Sequence, residues 1–484
     1  MVCRLGGVAE GGLLPAAATV GVVLFGLLGA LMAEEVRVDC SRRAGAVRAL
    51  HGVNNGPLNY GEMIDLSAYY RQARFPLARL HDSEWPRPDI VDMHAVFPDP
   101  NADPARPGSY RFATTDAYVR AIVEAGVGIV YRLGESIEHT KRKHHVHPPA
   151  DYEKWAAACV GIIRHYNEGW ADGFRYDIRY WEIWNEPENR PSMWTGTEAD
   201  YYRLYVTAAK AIKARFPRLK VGGPSVGATG RLVDGGLEPT AFVTGFLKQC
   251  KQHAAPLDFF SWHTYTDDPY VYARKARAVR KLLDERGFDK AESHLNEWNY
   301  LPDNDWRPVM LAGQGLLRQR CFERIGGAPG AAFVACTLIH LQDCPLDVAN
   351  YYSGETNLFG LFNRYGVPRK TFHAMKAFRM LLDTPLRVQA VGGRPGESAV
   401  CAGMNAARTG VNVLAASFRS KQRRIDLHIK RPPWPGGTHW EVLRLDAKHD
   451  LKPTATGTSE SREVRIQVPW EAPCVLLVRL SAAG

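Results

Sequence analysis

At 484 residues, with 45% hydrophobic and 23% charged side chains, the chain has the makeup of a globular protein and not of a disordered or fibrous one. That length holds one large domain of about 250–350 residues plus a smaller one. The formal charge of +10 is uneven: residues 386–484 carry 15 Lys/Arg against 8 Asp/Glu, a basic surface suited to acidic polysaccharide, to a membrane face or simply to solvent.

The N-terminus places Arg4 before an apolar, nearly uncharged run from Leu13 to Ala33. A basic start, an apolar segment and a small residue ahead of Glu34-Glu35 describe an export signal over residues 1–33. The run is also about long enough to span a bilayer, and Leu31 is not the small residue expected before a cut, so a retained membrane anchor over residues 13–33 is the secondary reading beside export. The expected location is periplasmic or extracellular. The nine cysteines include Cys3 in this segment and form no C-x-x-C pair; pairing such as Cys336 with Cys344 and buried free thiols are both open.

Residues 34–49 read as strand and can join a C-terminal β domain. From 50 to 385, short apolar strands ending in polar residues alternate with helical patterns. The strands are LHGVNNGPL, PLARLHD, VGIVYRLG, IRYWEIWNEP, KVGGPSV, LDFFSWHTY, SHLNEWN and AAFVACTLIH, the last reading as strand eight. Eight such units predict a (β/α)8 barrel, with a doubly wound open sheet as the competing arrangement. Beyond Thr384-Pro385 only strands and Gly/Pro/Ser turns follow, predicting an antiparallel β-sandwich over 386–484. The His-rich stretch His139–His147 falls in the loop after the third strand and reads as a basic, solvated rim or, with further partners, a metal site.

In a (β/α)8 barrel the chemistry sits at the carboxyl ends of the strands. Glu186, in YWEIWNEPENR, ends strand four, and Glu297, in SHLNEWN, ends strand seven. Strand alternation puts Glu182, Trp184 and Glu186 on one side, with Glu182 deeper and in need of a partner such as Arg79. One protonated and one ionised carboxyl across a barrel mouth are what glycoside hydrolysis requires; an apolar wall of Trp181 and Trp184 would keep Glu186 protonated.

These motifs resemble the retaining (β/α)8 glycosidases, and more narrowly glycoside hydrolase family 39, the β-xylosidase and α-L-iduronidase family. The likeness runs through RLHD (Arg79 to Asp82, including His81), EIWNEPENRPSMW, EADYYRLYVTAAKAIK, LKVGGPSV, FFSWHTY, HLNEWN and FGLFNRYGVPRKTFHAMKAF, about residues 50–380. It implies Glu186 as acid/base and Glu297 as nucleophile. Asn185 would bond the sugar 2-hydroxyl, Arg79 and Tyr265 would hold the nucleophile ionised, and His81 and His263 would line the pocket. Trp194, Trp298 and Trp306 are candidate sugar platforms, though each can be core. The strand-eight segment ACTLIHLQD lacks the aromatic run of the β-xylosidases and would leave His340 or Gln342 facing the substrate. The expected partner is a carbohydrate, from xylan-derived oligosaccharide to acidic polysaccharide; neither nucleic acid nor a metal or organic cofactor is expected. Two rivals stand: a serine esterase on the G-x-S-x-G of Gly223–Gly227, with Ser225 as nucleophile, and a non-catalytic carbohydrate-binding barrel.

Overall fold

A computed structural model describes residues 33–83, 90–310 and 315–483; the segment read as export signal or anchor lies outside them except for Ala33. Eight parallel strands close into a barrel: Gly52–Asn54, Leu77–Leu80, Gly128–Leu133, Tyr180–Ile183, Lys220–Val226, Phe259–Thr266, Glu292–Tyr300 and Val348–Tyr351, the last pairing back onto the first. Most are buried along their whole length, as strands covered on both faces must be. The covering helices are amphipathic. Glu198–Arg215, for example, starts on a capping box in which Thr197 and Asp200 exchange side-chain-to-backbone hydrogen bonds, and it buries Tyr201, Leu204, Tyr205, Ala208 and Ile212 against the barrel.

The eighth strand is not where the sequence reading put it. AAFVACTLIH belongs to a helix, Ala328–His340, in which every residue from Gly330 to Ile339 is buried. It packs between the barrel and the C-terminal sheet: Phe333 stacks on Tyr300 and meets Phe418 edge-on, and Cys336 Sγ donates to the Ala416 carbonyl. A helix covered on all sides has no polar face, so its apolar run mimics a buried strand; thirteen residues is helix length. The strand is the shorter VANY that follows. His340 and Gln342 consequently leave the site. His340 lies edge-on to Tyr270, and Gln342 exchanges hydrogen bonds with the backbone of Arg48, ahead of the first strand.

The second sheet has nine strands, in the order Asp450–Ser459, Thr438–Leu445, Cys474–Ala482, Gly410–Ser417, Ser398–Met404, Leu386–Val391, Ala33–Ala46, Arg424–Lys430, Glu463–Pro469. All neighbours are antiparallel except Ala33–Ala46 with Arg424–Lys430, so the N-terminal strand is built into this sheet. Its alternate residues, among them Val36, Val38, Val413, Ile425, Leu427, Ile466 and Val478, form a second apolar core. The eight described cysteines are all free and buried; Cys336 and Cys344 are not paired.

Candidate active site

Arg79, on the second barrel strand, is fully buried and forms the hub of the barrel mouth. Its Nε donates to Glu182 Oε2 (2.6 Å), Nη1 to Glu297 Oε1 (2.8 Å) and Asn54 Oδ1 (3.0 Å), and Nη2 to Asn185 Oδ1 (2.6 Å) and Ser225 Oγ (2.7 Å). Burial alone would lower its pKa, but the charges of Glu182 and Glu297 outweigh it and hold the guanidinium charged. Arg79 is thus both an internal partner for Glu182 and a ligand of Glu297.

Glu297 reaches the interior through a break in the strand-seven ladder. The pairing with Phe259–Thr266 runs Trp262↔Leu295 and then His263↔Glu297, so Asn296 is an extra residue. Such a bulge lets Asn296 and Glu297 both face inward, Asn296 donating to Glu182 and Ser225. Glu297 Oε2 accepts from the Tyr265 hydroxyl (2.8 Å), and His81 Nε2 stands 3.9 Å from Oε1. Trp298 then points outward, packs on Tyr272 and Tyr351 and is fully buried. Trp194 is equally buried against Trp184 and Tyr201. Neither is a sugar platform. Trp306 is 39% exposed beside Tyr265, 5.1 Å between ring centroids, and it alone of the three faces the mouth.

Strand four ends at Ile183, before the acid. Positive φ at Trp184 (69°) and Glu186 (42°) breaks the alternation expected from the sequence, so Asn185 and Glu186 both turn inward. Trp181 and Trp184 go instead to the strand–helix layer, on Tyr131 and on Trp155 and Trp194. They are not the wall of Glu186, whose Oε1 meets His263 Nδ1 at 2.7 Å and whose Oε2 accepts from Asn189 Nδ2 at 3.1 Å. Glu186, His263 and Glu297 bring one ligand-type atom each within 4.8 Å of the others.

Burial raises the pKa of Glu186 and of Glu297. Only Glu297 bonds a guanidinium and a phenol, so the charge shared by this pair rests on Glu297 and the proton on Glu186. Burial also pulls His263 down to about 4 and His81 well below its ordinary value, so both rings are neutral near pH 7. Ser225 Oγ touches His263 Nε2 (2.8 Å), which makes a Ser-His-Glu line with Glu186. The hydroxyl is nevertheless fully buried, bonded to Arg79, Asn185 and Asn296, and the chain continues from it into the hairpin Gly230–Val233 and Gly236–Pro239, not into the helix an esterase elbow requires.

Sequence reading missed Tyr352 and Glu355, because the eighth strand was misplaced. Tyr352 donates to Asp82 Oδ2 (3.1 Å), and burial lifts Glu355 to about 8 and Asp82 to about 6. A run of polar residues after VANY was their signal. The His-rich loop does not converge: His145 stacks on His94, and His147 bonds Thr195 Oγ1 and the Lys143 carbonyl. Asp92, His94 and Glu135 do lie within ligand reach of one another, but Asp92 is already paired with buried Arg132, as Glu297 is with Arg79, and a fixed cation opposes a second one.

The chain matches the sequence profile of glycosyl hydrolases family 39 over residues 91–391. It is 28% identical over 269 residues to a β-xylosidase of Geobacillus stearothermophilus, covering 50% of this chain and 49% of that one. The chain spans about half the length of the curated relatives it matches. Among solved structures, a glucosidase from Croceicoccus marinus superimposes with a TM-score of 0.78 at 25% identity, over 94% of this chain and 100% of that one. A monomeric β-xylosidase from Caulobacter crescentus CB15 shares the fold (TM-score 0.69, 17% identity, 93% and 100% covered). With more than half its length inside the family profile, the chain belongs to glycosyl hydrolases family 39.

Proposed function

We propose that the protein is a retaining glycoside hydrolase acting on β-xylosides or β-glucosides. The observation that carries this is the pair Glu186 and Glu297, with carboxyl oxygens within 4.8 Å of each other across the barrel mouth. Double displacement uses carboxyls about 5–5.5 Å apart; inversion needs roughly 6.5–9.5 Å to admit a water. In the first step Glu297 attacks the anomeric carbon as the glycosidic C–O bond breaks and Glu186 gives its proton to the leaving oxygen. In the second, Glu186 takes a proton from water, the oxygen of which displaces Glu297 and frees the sugar. Asn185, its Oδ1 taken by Arg79 and Ser225, keeps its amide N–H donors for the sugar 2-hydroxyl. Tyr265 and Arg79 keep Glu297 anionic.

The β-xylosidase and glucosidase names of the relatives support the choice of glycone. The apolar run of residues 13–33 supports an exported enzyme, and sequencing the N-terminus of the mature protein separates cleavage from anchoring. The test of function is hydrolysis of aryl β-xyloside, β-glucoside, α-L-arabinoside and α-L-iduronide by wild type, Glu186→Gln and Glu297→Gln. Turnover of one glycoside that Glu297→Gln abolishes, with retained anomeric configuration, is expected. An inverted product overturns the mechanism, and sugar binding without turnover favours the binding-protein reading.

A further inference from the structure

We propose that Glu188 is a positioning residue that fixes the carboxyl of Glu186 at the leaving-group oxygen, acting through the turn at Gly227-Ala228. The inference rests on the glycosidase reading above. Glu186 lies beyond the end of its strand with a positive φ, where the regular pairing of strands four and five has already stopped at Glu182 and Gly222. What stands beside it is the turn that leaves strand five. The Ser225 carbonyl accepts from Glu186 N (3.0 Å), and Gly227 passes so close that a Cβ there would stand 2.5 Å from Glu186 Oε1 and 2.9 Å from its Cδ. The Gly227 backbone is therefore one wall of the acid's seat.

Glu188 holds that wall. Its Oε1 accepts from both Gly227 N (2.7 Å) and Ala228 N (3.0 Å), the two successive donors of the turn. Among the described residues its buried Oε2 has no hydrogen-bond partner, so the carboxyl's hydrogen bonds to other residues go to the turn. Burial, reinforced by nearby Glu186, pushes the Glu188 carboxyl up to about 8, so near neutrality it adds little charge beside the acid. Its effect is then geometric, and an amide in its place keeps the same acceptor oxygen.

A misplaced acid has a kinetic signature that loss of folding does not share. Protonation of the leaving group matters for a poor leaving group such as phenol and little for 2,4-dinitrophenol, which departs unaided. The experiment compares the phenyl and 2,4-dinitrophenyl glycosides of whichever sugar, xylose or glucose, the wild type hydrolyses. Glu188→Ala is expected to lower kcat/KM on the phenyl glycoside by on the order of 10²-fold, the size of a general-acid contribution, and to leave the dinitrophenyl glycoside within about threefold. Glu188→Gln should restore the phenyl glycoside. Equal loss on both substrates, or no loss on the phenyl glycoside, overturns the proposal. If Glu188→Ala does not fold, Gly227→Ala, which crowds Glu186 from the other side, must show the same leaving-group selectivity or the proposal fails. A wild-type protein that hydrolyses neither substrate sinks the glycosidase reading and this inference with it.

Discussion

Replacing Arg79 with Met keeps the approximate length of the side chain and removes the charge on which two buried carboxylates depend. Glu182 is fully buried and Glu297 nearly so; Arg79 sits 2.6 and 2.8 Å from them. Removing one partner of a buried pair costs about 3–5 kcal/mol, because the other charge stays buried without compensation. For Glu297 the same loss acts on catalysis. A unit charge at about 4 Å contributes on the order of 4 kcal/mol at an effective dielectric of about 20, or roughly three pKa units. The acid limb of the kcat/KM profile, set by ionisation of the nucleophile, should therefore move up by more than one pH unit. Urea unfolding at neutral pH and kcat/KM from pH 4 to 8 measure the two effects. The double variant Arg79→Met, Glu182→Gln separates them. It removes one stranded charge and should recover about half of the lost stability while leaving the acid limb displaced. If Arg79→Met is as stable as wild type, or its acid limb coincides with that of wild type, the account of Arg79 as the electrostatic hub is wrong.

Truncating the buried indoles, Trp194→Ala and Trp298→Ala, should each cost about 3–5 kcal/mol of stability, whereas Trp306→Ala should leave the unfolding midpoint within error and raise KM for oligosaccharides; a stable Trp298→Ala enzyme with impaired sugar binding would return that residue to the pocket. Glu355 is raised to about 8 by burial, so the folded state holds a proton that the unfolded state has released above about pH 4.5. Its contribution is present at low pH and lost as pH rises towards 8. Glu355→Gln should accordingly flatten the fall in melting temperature between pH 5 and pH 8, and an unchanged slope would refute the assignment.

Much was legible before any coordinates. Strand-helix alternation gave the barrel, the change to turn-separated strands after Pro385 marked the second domain, and Glu186 and Glu297 stood out as acids ending aromatic strands. Each of these is a local property of period, breaker residues and residue type, carried by a few consecutive positions. What failed were inferences that need an element's surroundings. Ala328–His340 reads as strand or helix equally well until the sheet against its far side is known. Alternation pointed Trp181, Trp184, Asn185 and Glu186 to definite faces. Trp181 and Glu186 kept those faces, but positive φ at Trp184 and Glu186 sent Trp184 outward and Asn185 inward. On strand seven the extra residue at Asn296 turned Asn296 and Glu297 inward together, because a bulge or left-handed residue reverses the alternation that follows it. That Arg79 serves both Glu182 and Glu297, that Ser225 is a buried bonding partner and not a nucleophile, and that Glu188 grips the turn beside the acid were likewise decided by the tertiary structure. Residues from 39 to 218 positions apart meet there, and only assembly of the barrel puts their atoms within hydrogen-bond distance.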